Sequence, residues 1–139
     1  MVKKKFKVLI VASNFYSNIT NKMITSAEEE LKKNKCSFDV LRVNGSLEIP
    51  TMIAIKLKKN KYDGAIALGC IIKGQTNHND VIANTIATSL LNISIESLKP
   101  VGNAVLNCSN IRQALVRTKG SKNRPAEAVN AIISVLDNI

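Results

Sequence analysis

Residues 64–80, GAIALGCIIKGQTNHND, decide how this chain folds. The run GAIALGCII is apolar without alternation, the pattern of a strand buried on both faces of a parallel sheet. The polar stretch KGQTNHND follows, and beyond it Val81, Ile82, Ile86, Leu90 and Ile93 recur at helical spacing. Strand, polar turn and helix make one βα unit.

The same unit recurs in both directions. FKVLIVAS (6–13), SFDVLRV (37–43) and PVGNAVLN (100–107) are further short apolar strands bounded by turn residues. After the first, Ile19, Met23, Ala27 and Leu31 mark a helix that Ser17 or Thr20 could cap. A second helix is predicted over Ile49–Lys59, with Pro50 tolerated in its first turn. A short one is predicted over Asn110–Arg117, and a last one over Glu127–Ile139. Strands alternating with helices predict an α/β fold, a mostly parallel four-stranded sheet covered on both faces. No repeat, linker or low-complexity segment interrupts the pattern, so residues 1–139 read as a single domain.

Hydrophobic residues make up 45% of the chain but aromatics only 4%, so the core must be built from Ile, Leu, Val and Ala. Cys36, Cys70 and Cys108 are odd in number, far apart and flanked mostly by apolar residues. That usage fits reduced thiols and a cytoplasmic setting, and no CxxC pair suggests zinc. The apolar stretch of MVKKKFKVLIVAS is short and reads as a first strand rather than a leader. No run reaches membrane-spanning length.

The net charge of +10 invites a nucleic-acid reading. The lysines, however, are dispersed in KKK (3–5), KKNK (32–35) and KLKKNK (56–61), and the last two runs fall at predicted helix C-termini, where cations complement the dipole. Sparse aromatics also argue against a base-stacking platform. A phosphate-bearing small substrate would be drawn by the same field.

In such sheets ligands bind beyond the carboxyl ends of the strands. The loops there are SNFYSN (13–18), NGSLEIP (44–50), KGQTNHND (73–80) and NCSN (107–110). In the third, Lys73, Gly74, Gln75 and Thr76 precede a helix N-terminus and suit an anion. His78, the single histidine, either serves there as a proton acceptor or simply caps the helix. Phe15 and Tyr16 could stack on a planar ligand or pack on the following helix. Glu48 could bind a polyhydroxylated ligand or complement a helix dipole. Arg117 and Arg124 bracket the polar break TKGSKN.

Taken in order, NFYSNIT (14–20), NGSLEIP (44–50), ALGCIIKGQTNHNDVIAN (67–84), NIRQALVRTKG (110–120) and NRPAEAVNAI (123–132) resemble the motifs of the 6,7-dimethyl-8-ribityllumazine synthase family over essentially the whole chain. The resemblance implies a flavodoxin-like αβα sandwich. It implies condensation of 5-amino-6-ribitylaminouracil with 3,4-dihydroxy-2-butanone 4-phosphate, with no cofactor or metal. It also implies pentamers, or multiples of them, whose active sites lie between subunits.

On that resemblance Phe15 stacks on the pyrimidine, and Ser46, Leu47 and Glu48 line the ring and ribityl chain. Gly74, Gln75, Thr76 and a neighbour's Arg117 take the phosphate, and His78 transfers protons. Arg124 lies near the ribityl chain, and Glu127 holds Arg117. The chain departs from the family pattern with Leu47 for an aromatic, Tyr16 for Asn, Asn14 and Lys73 for Arg, and Asn103 for a bulky apolar residue of the pyrimidine pocket. Beside this stand two other readings: a flavodoxin-like protein that binds flavin or nucleotide, and a basic nucleic-acid-binding module.

Overall fold

The strand β1 (Lys7–Ser13) is buried from Val8 to Ser13. Its Val8, Ile10 and Ala12 join one core cluster and its Leu9 and Val11 another, so this strand must lie inside a sheet covered on both sides. The computed structural model, which describes residues 5–59, 61–74 and 78–139, places it there. β1 pairs in parallel with β2 (Ser37–Val43) on one side and β3 (Gly64–Ile72) on the other, and β3 pairs with β4 (Val101–Cys108). The order is β2-β1-β3-β4, an all-parallel flavodoxin-like sheet.

Helices α1 (Ser17–Lys33) and α5 (Arg124–Leu136) cover one face, burying Met23, Leu31, Val129 and Ile132 against Ile10, Ile66, Leu68 and Leu106. Helices α2 (Ile49–Leu57) and α3 (Asn79–Ser97) cover the other, burying Ile53, Ile86 and Leu90 against Leu9, Val11 and Ala67. Each fully buried Leu or Ile contributes about 1.5–3 kcal/mol of hydrophobic stabilisation. Two runs of lysine do lie at helix C-termini: Lys32 and Lys33 in the last turn of α1, Lys56 in that of α2. Among the described residues no helix is long and apolar enough to cross a membrane.

The strands match their sequence signals to within a residue. β4 starts at Val101 rather than Pro100, whose ring nitrogen has no N–H to give to a ladder, although its carbonyl accepts from the Ala65 N–H at 3.1 Å. Helix ends differ more. Neither Ser17 nor Thr20 caps α1: the N-cap is Tyr16, in the left-handed region at φ 57° and ψ 53°, without a side-chain cap. For a residue with a Cβ that conformation costs roughly 1–2 kcal/mol.

α2 stops at Leu57. α5 starts at Arg124 instead of Glu127, because Pro125 fits its first turn and Asn123 Oδ1 accepts the Ala126 N–H at 3.0 Å. α4 (Ile111–Val116) is similarly capped by Asn110, whose Oδ1 accepts the Gln113 N–H at 2.9 Å. At Gly102 helix and sheet approach closely: a Cβ there would sit 2.8 Å from the Ala128 carbonyl oxygen of α5.

Candidate functional site

The chain runs from β1 to the neighbouring β2, then crosses to the opposite side of β1 to form β3. The carboxyl ends of β1 and β3 therefore flank the reversal in strand order where such sheets open a crevice. A cleft of about 310 Å³ lies there, lined by Phe15 and Tyr16 after β1, Gly45 to Glu48 after β2, Cys70 to Ile72 of β3, and Ile82 of α3. Its size is at the lower end for small-molecule pockets, and its walls are mainly apolar, as such sites require.

The first two loops are tied to each other. The N–H groups of Asn14 and Phe15 donate to the carbonyls of Val43 and Asn44, at 2.7 and 3.2 Å. Phe15 stands 63% exposed at the rim, with Tyr16 edge-on to it at a centroid distance of 4.8 Å and an interplanar angle of 78°.

Residues Ser46–Glu48 form a single 3-10 turn leading directly into α2. The Glu48 carboxylate accepts the Gly45 N–H at 3.0 Å, which closes this turn, so its local structural role is on view. Leu47 is 54% exposed beside it. Gly69 makes room for the turn: a Cβ at that position would stand 2.5 Å from Ser46 Oγ. The glycine in the middle of an apolar strand is thus the residue that lets the second loop lie against β3.

At the tip of β3 the Lys73 N–H donates to the Cys108 carbonyl at 2.8 Å, after which Lys73 and Gly74 are exposed. Gln75 and Thr76 lie outside the described residues. His78 occupies the N-cap of α3 with its side chain exposed and without a side-chain cap bond, and its carbonyl accepts the Ile82 N–H at 3.0 Å. One turn of α3 is fastened to β4 by amides: Asn79 Nδ2 donates to Asn107 Oδ1 at 3.0 Å, and Asn107 Nδ2 to Asp80 Oδ1 at 2.8 Å. His78 is thereby set beside a fixed post.

Asn103, Arg117 and Arg124 do not line this cleft. Asn103 sits mid-strand opposite Ala67, where its Oδ1 accepts the Val105 N–H at 2.9 Å. Arg117 and Arg124 meet at the break between α4 and α5, where the Arg124 N–H donates to the Arg117 carbonyl at 2.9 Å. Arg117 Nη1 donates to the Gln113 carbonyl at 3.0 Å. Glu127 pairs with Arg124, 3.8 Å from its Nε, as the early start of α5 puts Arg124 one helical turn before Glu127.

Burial pushes the Cys70 thiol up to about 12, and it raises that of Cys108 against the opposing pull of Arg117 and Arg124. Cys70 therefore contributes an apolar wall and no nucleophile. All three cysteines are buried and outside any disulfide. Among the described residues no three His, Cys, Asp or Glu side chains gather as a metal site requires.

The lining residues Ile71, Ile72 and Ile82 escape a reading of the sequence, since apolar residues in a strand and on a helix look like core. Tyr16 stands out there as an aromatic that could stack on a planar ligand or pack on the following helix, and it both lines the cleft and packs against the core. Gly69 does carry a signal, as an interruption in GAIALGCII.

The geometry thus gives an apolar, partly aromatic cleft at the carboxyl ends of the strands; Lys73, Gly74 and His78 are not among the residues that line it. The family model for 6,7-dimethyl-8-ribityllumazine synthase matches residues 5–139. A 6,7-dimethyl-8-ribityllumazine synthase of Bartonella henselae is 38% identical over 96% of this chain and 88% of its own length. Those of Bartonella tribocorum and Bartonella bacilliformis are 36% and 35% identical, covering 97% and 93% of this chain and 91% and 87% of their own. A match that spans every loop around the cleft, and nearly the full length of both partners, leaves one placement: this chain belongs to the 6,7-dimethyl-8-ribityllumazine synthase family.

Proposed function

We infer that this chain condenses 5-amino-6-ribitylaminouracil with 3,4-dihydroxy-2-butanone 4-phosphate, releasing water and phosphate, as a step of riboflavin synthesis. The observation that carries this reading is the family match from residue 5 to 139, which includes each loop of the cleft. The chain acts as one domain over residues 1–139.

Phe15 stacks on the pyrimidine, with Ser46, Leu47 and Glu48 along the ring and ribityl chain and Asn103 deeper on the same sheet. Lys73, Gly74, Gln75 and Thr76 receive the phosphate, since backbone N–H groups before a helix and an adjacent ammonium favour an anion. His78 moves the protons. The 5-amino group attacks the ketone and a water leaves to give a Schiff base; this rearranges with loss of phosphate, and the ribitylamino nitrogen then attacks the remaining carbonyl, closing the second ring with loss of a second water. Each step needs a proton taken or given, typically a factor of about 10²–10⁴ for a well-placed group. Holding two substrates in register supplies roughly 7–11 kcal/mol more in good cases.

Arg117 completes the site from a neighbouring subunit, stabilising the departing phosphate, and Arg124 lies near the ribityl chain. Two features support a shared site. Both arginines lie off their own chain's cleft, and α3 carries Val81, Leu91 and Ile95 exposed on its outer side, apolar surface suited to a second copy. Assembly is a pentamer or a multiple of it, in the cytoplasm, where cysteines outside disulfides stay reduced.

The deciding experiment mixes the purified protein with both substrates and follows the fluorescent lumazine. Product formed well above the uncatalysed background, in proportion to protein, is the expected result. No acceleration by folded, assembled protein would overturn the reading. The same preparation, colourless and with affinity for neither flavin nor nucleic acid, would dispose of the two alternative readings.

A further inference from the structure

Phe15 is held by little of its own. It sits past the end of β1, 63% exposed, and its backbone makes one hydrogen bond to Asn44 and accepts another from Ser13 Oγ at 3.4 Å. A ring so exposed on a loop samples several rotamers unless something restrains it. The neighbouring aromatic is Tyr16, whose ring meets Phe15 edge-on at 4.8 Å.

Tyr16 itself is fixed. It packs against the core cluster beneath α1, and its carbonyl accepts the N–H groups of Ile19 and Thr20 at 2.9 and 3.1 Å. Consecutive side chains of an extended strand point to opposite faces, so rings at 15 and 16 meet because the backbone turns between them. The turn is the left-handed conformation of Tyr16, φ 57°, one of three non-glycine residues with positive φ among those described. Gly or Asn would adopt it with less strain. A bulky ring retained at a strained position, at the edge of a cleft, points to a use for that ring.

Resting on the catalytic reading above, we propose that Tyr16 is a positioning residue: it holds the Phe15 ring in the orientation that stacks on the pyrimidine substrate. It acts through Phe15 and sets affinity for the pyrimidine while leaving the phosphate-bearing substrate alone. Edge-to-face pairs contribute enough for a loss of about two- to tenfold in affinity when the edge is removed.

The test compares wild type with Tyr16→Asn, which tolerates the left-handed backbone, Tyr16→Phe, which keeps the edge contact, Phe15→Ala, and the double variant Phe15→Ala/Tyr16→Asn. Titration with 5-amino-6-ribitylaminouracil is expected to show Tyr16→Asn weakened about two- to tenfold and Tyr16→Phe close to wild type. KM for the phosphate substrate should stay unchanged. In the Phe15→Ala background the Asn substitution should cause no further loss. Separately, a fluorine label on the Phe15 ring, read by NMR without substrate, should show one environment in wild type and averaging in Tyr16→Asn.

Equal pyrimidine affinity in wild type and Tyr16→Asn overturns the proposal, as does an undiminished loss in the Phe15→Ala background or an unchanged ring signal. Because the ring measurement needs no substrate, a wild-type protein that failed to bind the pyrimidine would count against the catalytic reading alone.

Discussion

Two aromatic side chains mark opposite ends of the sheet, and the chain treats them in opposite ways. Tyr62, just before β3, is 7% exposed; its hydroxyl donates to Asp39 Oδ2 at 2.7 Å, and Lys7 and Lys61 stand 5.6 and 5.8 Å from its ring centroid. The same carboxylate pairs with both lysines, at 3.4 and 3.7 Å. Phe15, past the carboxyl end of β1, is 63% exposed on the cleft. Charge and aromatic surface satisfied within the chain contribute structure; the same chemistry left at a cleft mouth is available to a ligand. Changes at the Phe15 end should therefore alter catalysis and spare stability, and changes at the Tyr62 end should do the reverse.

The largest expected effect is at the site end. His78→Ala should lower kcat by about 10²–10⁴-fold with little change in either KM, as removal of a proton-transfer group does. Steady-state rates with both substrates check this, and unchanged turnover would break the contrast between the two ends.

Gly69→Ala should have an intermediate effect that sharpens the comparison, because it tests the frame of the cleft rather than its chemistry. The new methyl would collide with Ser46 Oγ and approach Ile49 Cδ1, 3.4 Å away. Overpacking of this kind costs about 1–3 kcal/mol, and here the loop rather than the sheet should yield. KM for the pyrimidine should rise about tenfold with kcat falling less. A variant with unchanged KM and lowered Tm would assign Gly69 to the core instead.

The smallest effect belongs to Tyr62. Burial, with the Asp39 carboxylate as its hydrogen-bond partner, pushes its hydroxyl up to about 12, against about 10 for a free tyrosine. The unfolded chain loses that proton first, so stability is fully present below about pH 10 and falls as pH rises towards about 12. Tyr62→Phe should flatten this alkaline decline in urea unfolding and leave kcat at neutral pH unchanged. Asp39 has the opposite sign. The Tyr62 hydrogen bond, with the two lysines, lowers its carboxyl despite the cost of desolvation, so its contribution is lost as pH falls through the acid range.

The strands were legible because each apolar run ends in residues that break it: Ser13 and Asn14, Asn44 and Gly45, Lys73 and Gly74. A side-chain cap marked the start of α4, at Asn110, but the equivalent cap of α5 by Asn123 was not read, and that helix begins three residues ahead of the expected Glu127. Tyr16 enters α1 through a left-handed turn that no residue preference announces, and Arg124 enters α5 because proline suits a first turn.

Within the site, Phe15, Ser46, Leu47 and Glu48 came together because all follow strands whose carboxyl ends converge. Asn103, Arg117 and Arg124 did not: Asn103 lies mid-strand in β4, and the two arginines sit at the break between α4 and α5, away from the cleft. The cleft walls Ile71, Ile72 and Ile82 were hidden for a different reason: an apolar side chain facing a ligand has the same sequence signature as one facing a core.

The strand order β2-β1-β3-β4 carries a further consequence for how the protein is made. β1 contains VLIVA, and its partner on one side, β3, is synthesised far later: Val8 pairs with Gly64. As the chain emerges from the ribosome, β1 can gain α1 and β2 early, but one ladder edge of its most apolar segment stays open until β3 appears. Parallel pairing across so long a separation is slow, and open edges of this composition promote aggregation. The strand at the centre of the finished sheet is the one most exposed to misassembly on the way there.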